Sequence, residues 1–163
     1  MLEMGEPLEI RPLVGVGDLL LGSSRGEVLG LLGEPDDKRA EDYAGTEDDP
    51  DELWVYGAGI ELAFSPDDDY LLGSIDVSAK DATLAGTRLI GLDEAGFLAA
   101  VRAAGIEDVR FDAEYEFVDL RVFVCDRLNL MVWLSGGIVT SITIMPEHDA
   151  SGNEPIWPER GSS

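Results

Sequence analysis

The first clear hydrophobic pattern along the chain has the spacing of a helix. Val28 and the leucines at positions 31 and 32 share one face of a 3.6-residue repeat. Ser24 and Glu27 form the signature of a capping box, in which each side chain accepts a hydrogen bond from the other residue's backbone N–H. Gly33 is predicted to end the helix, because glycine readily adopts the left-handed conformation found at many helix ends. We therefore predict a short helix of about nine residues after Ser24.

The pattern then changes to the alternation of strands. Residues 34–52 are rich in acidic side chains and lack periodicity, so they are predicted to form a solvated loop. Three alternating apolar segments follow at 53–57, 60–65 and 72–78, and a tight-turn signal at Gly59 separates the first two. This order predicts a three-stranded antiparallel meander.

The same order of patterns recurs about 70 residues later in the chain. Asp93 is a suitable helix cap, Phe97 and Val101 belong to an apolar stripe, and Gly105 ends the pattern. Residues 79–88 are interpreted as a linker between the two patterns. Strand patterns follow at 109–112, 115–125, 129–135 and 137–145, and the last two are joined by a two-glycine hairpin turn.

These patterns predict an α+β fold built from two tandem units. Each unit is expected to be a helix packed on a three- to four-stranded antiparallel meander. The predicted organisation is an N-terminal arm or short edge strand (1–16), a first unit (17–79), a second unit (80–146) and an extended tail (147–163).

Three motifs of the first unit carry a resemblance to a known family. They are Gly-x-Ser…Val-x-x-Leu-Leu-Gly-x-Pro at 22–35, Trp-x-Tyr at 54–56 and Ile-x-Leu-x-Phe at 60–64. This unit resembles that of the SmpA/OmlA small-lipoprotein family, and two in tandem resemble the β-lactamase-inhibitor-protein-like fold, as in bacterial immunity-type proteins. The resemblance implies a sheet face that binds a protein. The lipobox cysteine and the paired cysteines of those relatives are missing, so their membrane anchor and disulfides are not implied.

Charge is the feature of the composition that says most about possible partners. The chain has 34 acidic and 11 basic residues, a formal net charge of −23 at pH 7. Such a field repels nucleic acid and anionic membranes and speeds association with basic partners. The alternative is that the acidic surface serves solubility alone. The single cysteine, Cys125, and the lack of a signal-peptide pattern favour a cytoplasmic location.

Candidate chemistry is sparse. The one histidine, His148, falls in the predicted tail, and Cys125 ends an alternating strand, where a structural thiol is the usual interpretation. The glycines match neither a dinucleotide fingerprint nor a phosphate-binding loop, and the aspartate runs lack the spacing of a calcium-binding loop. We therefore expect no enzyme activity, no cofactor and no metal.

Strand alternation divides each meander into a core face and an opposite face. The predicted core face of the first meander contains Leu53, Val55, Ile60, Leu62, Phe64, Ile75 and Val77. That of the second contains Val118, Leu120, Val122, Val124, Leu130, Val132, Leu134, Ile138, Ile142 and Ile144. The predicted partner-binding residues on the opposite face are Trp54, Tyr56, Glu61, Phe117, Asp119, Arg121, Phe123, Met131 and Trp133.

Aromatic and arginine side chains among a few charges are typical of protein-binding hot spots. The alternative is that these aromatics pack against the arm, the tail or the other unit. The sequence therefore favours a non-catalytic acidic inhibitor with a basic protein partner, such as an immunity protein that occludes a toxin. The second hypothesis is a housekeeping or structural domain that self-associates or binds a small ligand through its sheet face. Either a monomer or a homodimer fits.

Overall fold

The computed structural model describes residues 9–41, 51–57, 59–65, 69–106, 108–111, 120–148 and 155–157. Within these ranges the chain forms two helices, α1 (Arg25–Leu32) and α2 (Glu94–Ala103). The strands of the first half are β1 (Glu9–Arg11), β2 (Gly15–Val16), β3 (Leu19–Leu20), β4 (Asp37–Glu41), β5 (Asp51–Tyr56), β6 (Ile60–Phe64) and β7 (Leu72–Val77). Those of the second half are β8 (Thr83–Leu84), β9 (Thr87–Arg88), β10 (Val109–Phe111), β11 (Leu120–Cys125), β12 (Leu130–Ser135), β13 (Ile138–Ile144), β14 (Glu147–His148) and β15 (Pro155–Ile156).

Helix α1 begins and ends as its sequence predicts. The Ser24 hydroxyl accepts a hydrogen bond from the Glu27 N–H at 3.1 Å, and the Glu27 carboxylate accepts one from the Ser24 N–H at 2.9 Å. Gly33 ends the helix with φ 79°, a conformation that residues with a Cβ adopt at a cost. The capping-box prediction is confirmed.

Helix α2 is fixed at its start by the predicted cap. The Asp93 carboxylate accepts a hydrogen bond from the Gly96 N–H at 2.7 Å. Phe97 and Val101 are the buried side chains of the helix, one turn apart, so they form the apolar stripe. Gly105 follows the helix with φ 83°.

Eight strands from both halves of the chain form one antiparallel sheet. Their order is β10-β11-β12-β13-β7-β6-β5-β4. The two halves meet where β7 pairs with β13, and there Asp76 lies opposite Thr143. We call this pairing the seam.

The predicted α+β fold class with two tandem helix-and-meander units is wrong. The structure is mostly β, and its main features are the eight-stranded sheet and a second sheet of five strands. Local patterns correctly indicate most strands and both helices. They cannot show that the last strands of the two meanders pair with each other, because that contact joins residues far apart in sequence.

The five-stranded sheet has the order β3-β2-β1-β8-β9. Strand β1 pairs with β2 on one side and, in parallel, with β8 on the other. Residues predicted as an arm therefore share a sheet with residues predicted as a linker. Strand β4 likewise lies within the predicted acidic loop 34–52. Its charged sequence, Asp-Lys-Arg-Ala-Glu, gives no apolar alternation, so only pairing with β5 identifies it as a strand.

One cluster of buried apolar side chains connects both helices with the large sheet. Val28 of α1 and Phe97 of α2 belong to the same cluster as Leu62 of β6 and Val132 of β12. We call the side of the eight-stranded sheet that contains Leu62 and Val132 the core face. The other side is the open face.

Strand β5 has the opposite orientation to the predicted one. Trp54 pairs with Leu62 and Tyr56 with Ile60, so both aromatics lie on the core face, while Leu53 and Val55 lie on the open face. Residues opposite one another in antiparallel strands share a face. The prediction failed because the segment Leu-Trp-Val-Tyr is apolar at every position. Only the three residues between β5 and β6 determine which set faces inward.

Two further strands differ from the predicted orientation. In β11, Phe123 pairs with Val132 on the core face and Val122 with Trp133 on the open face. In β13, the register shifts by one residue opposite the Trp133–Leu134 step. This β-bulge exposes Ile138 and buries Val139, the reverse of the prediction.

The described part of the tail is packed rather than free. Strands β14 and β15 pair with each other, and Trp157 packs against the buried cluster. A Cβ at Gly22 would lie 3.0 Å from the Trp157 ring, and Gly22 itself has φ 88°. Glycine at this position therefore permits the close approach of Trp157.

Candidate functional site

A single row of side chains crosses the open face on all eight strands of the large sheet. The cross-strand pairing places its members next to one another in the order Arg110, Val124, Met131, Thr143, Asp76, Glu61, Val55 and Asp37. The middle of the row holds two acidic side chains, with Thr143 and then Met131 on one side and Val55 on the other. The open face therefore combines apolar and acidic character at its centre.

A depression of about 320 Å³ lies on the open face beside the seam. Its walls include Leu53, Glu61, Ala63, Ser74, Asp76, Trp133, Ser141 and Thr143. The depression is open to solvent, and both helices pack on the other side of the sheet, the core face. This depression is the candidate functional site.

A chain of hydrogen bonds fixes the side chains of the depression across three strands. The indole N–H of Trp133 donates to the Thr143 hydroxyl at 3.0 Å. The Thr143 hydroxyl donates in turn to Oδ1 of Asp76 at 2.7 Å. Because each donor has one acceptor, the orientation of Trp133 is tied to the position of the Asp76 carboxylate.

The environment of Asp76 opposes its ionisation. Burial raises the pKa of the Asp76 carboxyl above its ordinary value of 3.8, while hydrogen bonds from Thr143 and Ser141 act in the other direction. Glu61 lies directly opposite on β6, so a second carboxyl stands beside the first. In the described ranges neither carboxylate forms an ion pair with a lysine, arginine or histidine.

The local sequence explains why these polar groups share one face. In β7 the apolar residues Ile75 and Val77 flank Asp76 and enter the core, which leaves Asp76 on the open face. In β13 the buried residues Ile142 and Ile144 place Thr143 on the same side. The seam then brings Asp76 and Thr143 into direct contact.

Trp54 and Tyr56, which were predicted to bind a partner, lie on the core face. Trp54 is 2% exposed, and its ring centroid lies 4.7 Å from that of Phe64. The Tyr56 hydroxyl donates to the carbonyl of Gly33 at 2.9 Å, which joins β5 to the end of α1. Their predicted placement on the opposite face is wrong.

Arg121 and Phe123 also lie on the core face and contact helix α2. Phe123 is buried, with its ring centroid 5.5 Å from that of Phe97. The Arg121 guanidinium pairs with Glu94 at 2.9 Å and lies 4.4 Å from the Phe111 ring centroid. These contacts attach α2 to the edge of the sheet, and the placement predicted for both residues is wrong.

Three of the predicted residues lie on the open face. Glu61, Met131 and Trp133 are half-buried there. Phe117 and Asp119 lie outside the described residues. Asp76 and Thr143 were not among the site residues predicted from the sequence. The signal that could have identified Asp76 was a single charged residue in an otherwise uncharged strand.

Other reactive side chains lie away from the depression. Cys125 is buried, and desolvation is the largest cause that raises the pKa of its thiol, which disfavours the reactive thiolate. His148 is exposed on β14, where its Nδ1 lies 3.2 Å from Asn129. Among the described residues, no group of three or more histidine, cysteine or acidic side chains could hold a metal ion. Neither helix in those ranges is long and apolar enough to cross a membrane.

Comparisons with known proteins give little further information. No family model matches the chain, and no curated protein matches it. Among solved structures, the chain is similar to an extracellular protein containing a SCP domain from Bacillus anthracis, with 9% sequence identity and a TM-score of 0.48. The match covers 87% of this chain and 50% of that one, so the chain spans about half the length of that protein. A similarity this low carries no argument about fold or function.

Proposed function

We propose that the protein is a non-catalytic, acidic binding protein whose open face docks on a basic protein partner. The observation that carries this proposal is the centre of that face, where Trp133 and Met131 lie beside Asp76 and Glu61 in and around a depression open to solvent. Aromatic anchors beside charged groups, in a concave and partly desolvated setting, are typical of interface hot spots.

The mechanism that fits these features is occlusion. The net charge of −23 attracts a basic surface from a distance and raises the rate of encounter. Apolar contact around Trp133 then supplies affinity that salt does not screen. The most specific form of this proposal is an immunity protein that covers the active site of a toxin. A nuclease toxin would fit, because the site that binds nucleic acid is itself basic.

The experiment is affinity capture with the full chain and two substituted chains. Trp133→Ala removes the aromatic anchor of the open face, whereas Ile156→Ala removes an apolar side chain that is 46% exposed on β15, outside the eight-stranded sheet. A basic partner is identified by mass spectrometry, produced separately and measured by titration calorimetry. We expect Trp133→Ala to weaken binding by about 2 kcal/mol or more, as for a hot-spot residue, and Ile156→Ala to leave it unchanged.

Two outcomes would contradict the proposal. One is a partner that binds the Trp133→Ala chain as tightly as the unchanged chain, since its contact would then lie elsewhere. The other is a stable homodimer in light scattering that Trp133→Ala converts to a monomer. That result would instead support the self-associating domain as the function.

A further inference from the structure

The depression on the open face has carboxylates but no cation to balance them within the described part of the chain. Asp76 accepts a hydrogen bond from the Thr143 hydroxyl, which carries no charge. Glu61 stands on the neighbouring strand. By contrast, Glu52 and Glu94 pair with arginines of the chain at 2.6 Å and 2.9 Å. A group that enters the depression therefore meets two carboxyl groups without a basic counterpart.

The aromatic wall adds a second requirement on the occupant. Trp133 lines the same depression, and its indole N–H is already engaged with Thr143. The indole donor of Trp133 is therefore committed to the chain, and what the residue adds to the wall of the depression is an aromatic side chain. An aromatic ring beside carboxylates is the combination that binds organic cations, through cation–π attraction and ion pairing together.

The volume of the depression and the net charge of the protein restrict further which group could occupy the depression. A volume of about 320 Å³ is at the small end of ligand pockets, so it suits a single side chain better than a length of backbone. The overall charge of −23 selects a partner with a basic surface. Arginine fits this site better than lysine. Its planar, weakly hydrated guanidinium stacks on aromatic rings and forms two parallel hydrogen bonds with a carboxylate.

We propose that the depression between Trp133, Asp76 and Glu61 is the receptor site for one arginine side chain of the protein partner. The inference rests on the proposed function and adds the chemistry of the anchor. The guanidinium ion-pairs with the two carboxylates and packs against the indole of Trp133. The rest of the partner lies on the surrounding apolar part of the open face.

The test needs no knowledge of the partner. The probe is a capped pentapeptide with one arginine between glycines, titrated into the ¹⁵N-labelled full chain and followed by NMR. The matched peptides carry lysine or citrulline, the latter being nearly the same shape as arginine without its charge. The indole N–H signal of Trp133, assigned from the Trp133→Phe variant, reports on the depression directly.

We expect saturable shifts of the Trp133 indole signal with the arginine peptide, weaker binding of the lysine peptide and none of the citrulline peptide. Glu61→Gln and Asp76→Asn should each weaken the arginine peptide about tenfold, as expected on loss of one charged partner. Asp81→Asn, at an exposed position that does not line the depression, is the matched control and should change nothing. Glu61→Gln keeps the test valid if Asp76→Asn does not fold.

Equal binding of the citrulline or the lysine peptide would overturn the arginine assignment. So would an equal effect of Asp81→Asn, which would mean that only the overall charge matters. If capture of a basic partner depends on Trp133 but the arginine peptide does not bind, the arginine site fails while the proposed function stands. If the peptide binds but no partner docks on the open face, the proposed function fails instead.

Discussion

Asp76 is the residue whose surroundings differ most from those of an ordinary surface carboxylate. It lies between Thr143 of the adjacent strand and Glu61 of the strand on the other side. Burial favours its neutral form, whereas the hydroxyl donors favour its charged form, and the net result is a raised pKa. Ionisation of this carboxyl is therefore less favourable in the folded protein than in the unfolded chain.

This difference predicts how stability depends on pH. A carboxyl whose pKa is raised in the folded state contributes stability below the unfolded pKa, near 3.8, and loses it as pH rises through the folded pKa. In Asp76→Asn the amide oxygen still accepts from Thr143, but the group does not ionise. We expect the free energy of unfolding of the variant, minus that of the unchanged chain, to increase as pH rises above 3.8 and then level off.

Urea unfolding at a series of pH values measures this difference. Asp81→Asn, at an exposed position, controls for the loss of one charge in a molecule of charge −23. A difference for Asp76→Asn that stays flat, or falls as pH rises, would contradict the raised pKa. The relevant comparison is between the two variants, because the many other carboxylates titrate in both.

Two tryptophans on opposite faces of the sheet provide the second prediction at the residue scale. Trp54 is 2% exposed and packs on Phe64, so Trp54→Ala should lower the free energy of unfolding by about 3 to 5 kcal/mol. Trp133 is half-buried on the open face, so Trp133→Ala should cost about 1 to 2 kcal/mol. Chemical denaturation measures both. Equal costs would mean that the two rings are equally buried and that the assigned faces are wrong.

At the scale of elements, short local signals predict helix ends well. The Ser24–Glu27 capping box and the Asp93 cap could be read from sequence because each involves side chains three residues from the backbone groups they bond. The turn at Gly136 and Gly137 is equally local, and both glycines have positive φ in the structure.

The errors arose where local sequence is uninformative. Strand β5 is apolar on both sides, so alternation could not decide whether Trp54 or Leu53 faces the core. The bulge in β13 reverses the alternation between Ile138 and Ile142, and no residue type marks it in advance. Charged β4 offers no apolar pattern at all. The depression could not be predicted because it depends on the seam, a contact between distant parts of the chain.

The seam predicts how the elements unfold. If β7 and β13 join the two halves into one cooperative structure, their amides should exchange with a free energy within about 1 kcal/mol of global unfolding. The short edge strand β9 serves as the comparison and should exchange by local opening at lower free energy. Native-state hydrogen exchange with increasing denaturant measures both.

Two separate exchange plateaus would contradict this expectation. In that case strands β4 to β7 would share one free energy and strands β10 to β13 another. Such a result would mean that the seam opens before either half unfolds. The depression at the seam would then be a transient feature instead of a preformed one.

At the scale of the whole molecule, the charge of −23 acts against the compact state. The chain has 34 acidic residues against 11 basic ones, so most acidic residues have no basic partner available and repel one another. Salt weakens this repulsion, since the Debye length falls from about 30 Å at 0.01 M to about 8 Å at 0.15 M. Charge repulsion therefore destabilises the protein most at low ionic strength.

The melting temperature should therefore rise with salt. Between 0.01 M and 0.15 M NaCl we expect a gain of roughly 1 kcal/mol, which corresponds to about 2 to 4 °C for a chain of this size. Differential scanning calorimetry measures the change, and KCl should give the same shift if screening is the cause. A melting temperature that falls as NaCl increases would show that attractive ion pairs outweigh the repulsion.

The row of side chains that crosses all eight strands also sets the shape that a partner must have. Neighbouring strands rotate by about 20 to 25° in most sheets, so seven steps from β10 to β4 add up to roughly 140 to 175°. A sheet with that twist has a saddle-shaped face whose two ends point in nearly opposite directions. A flat surface can touch only its middle, whereas a narrow, convex element such as a single loop or helix can lie along it. The seam lies in the middle of the open face. A loop or helix of a partner that lies along this face therefore contacts Asp76 and Thr143.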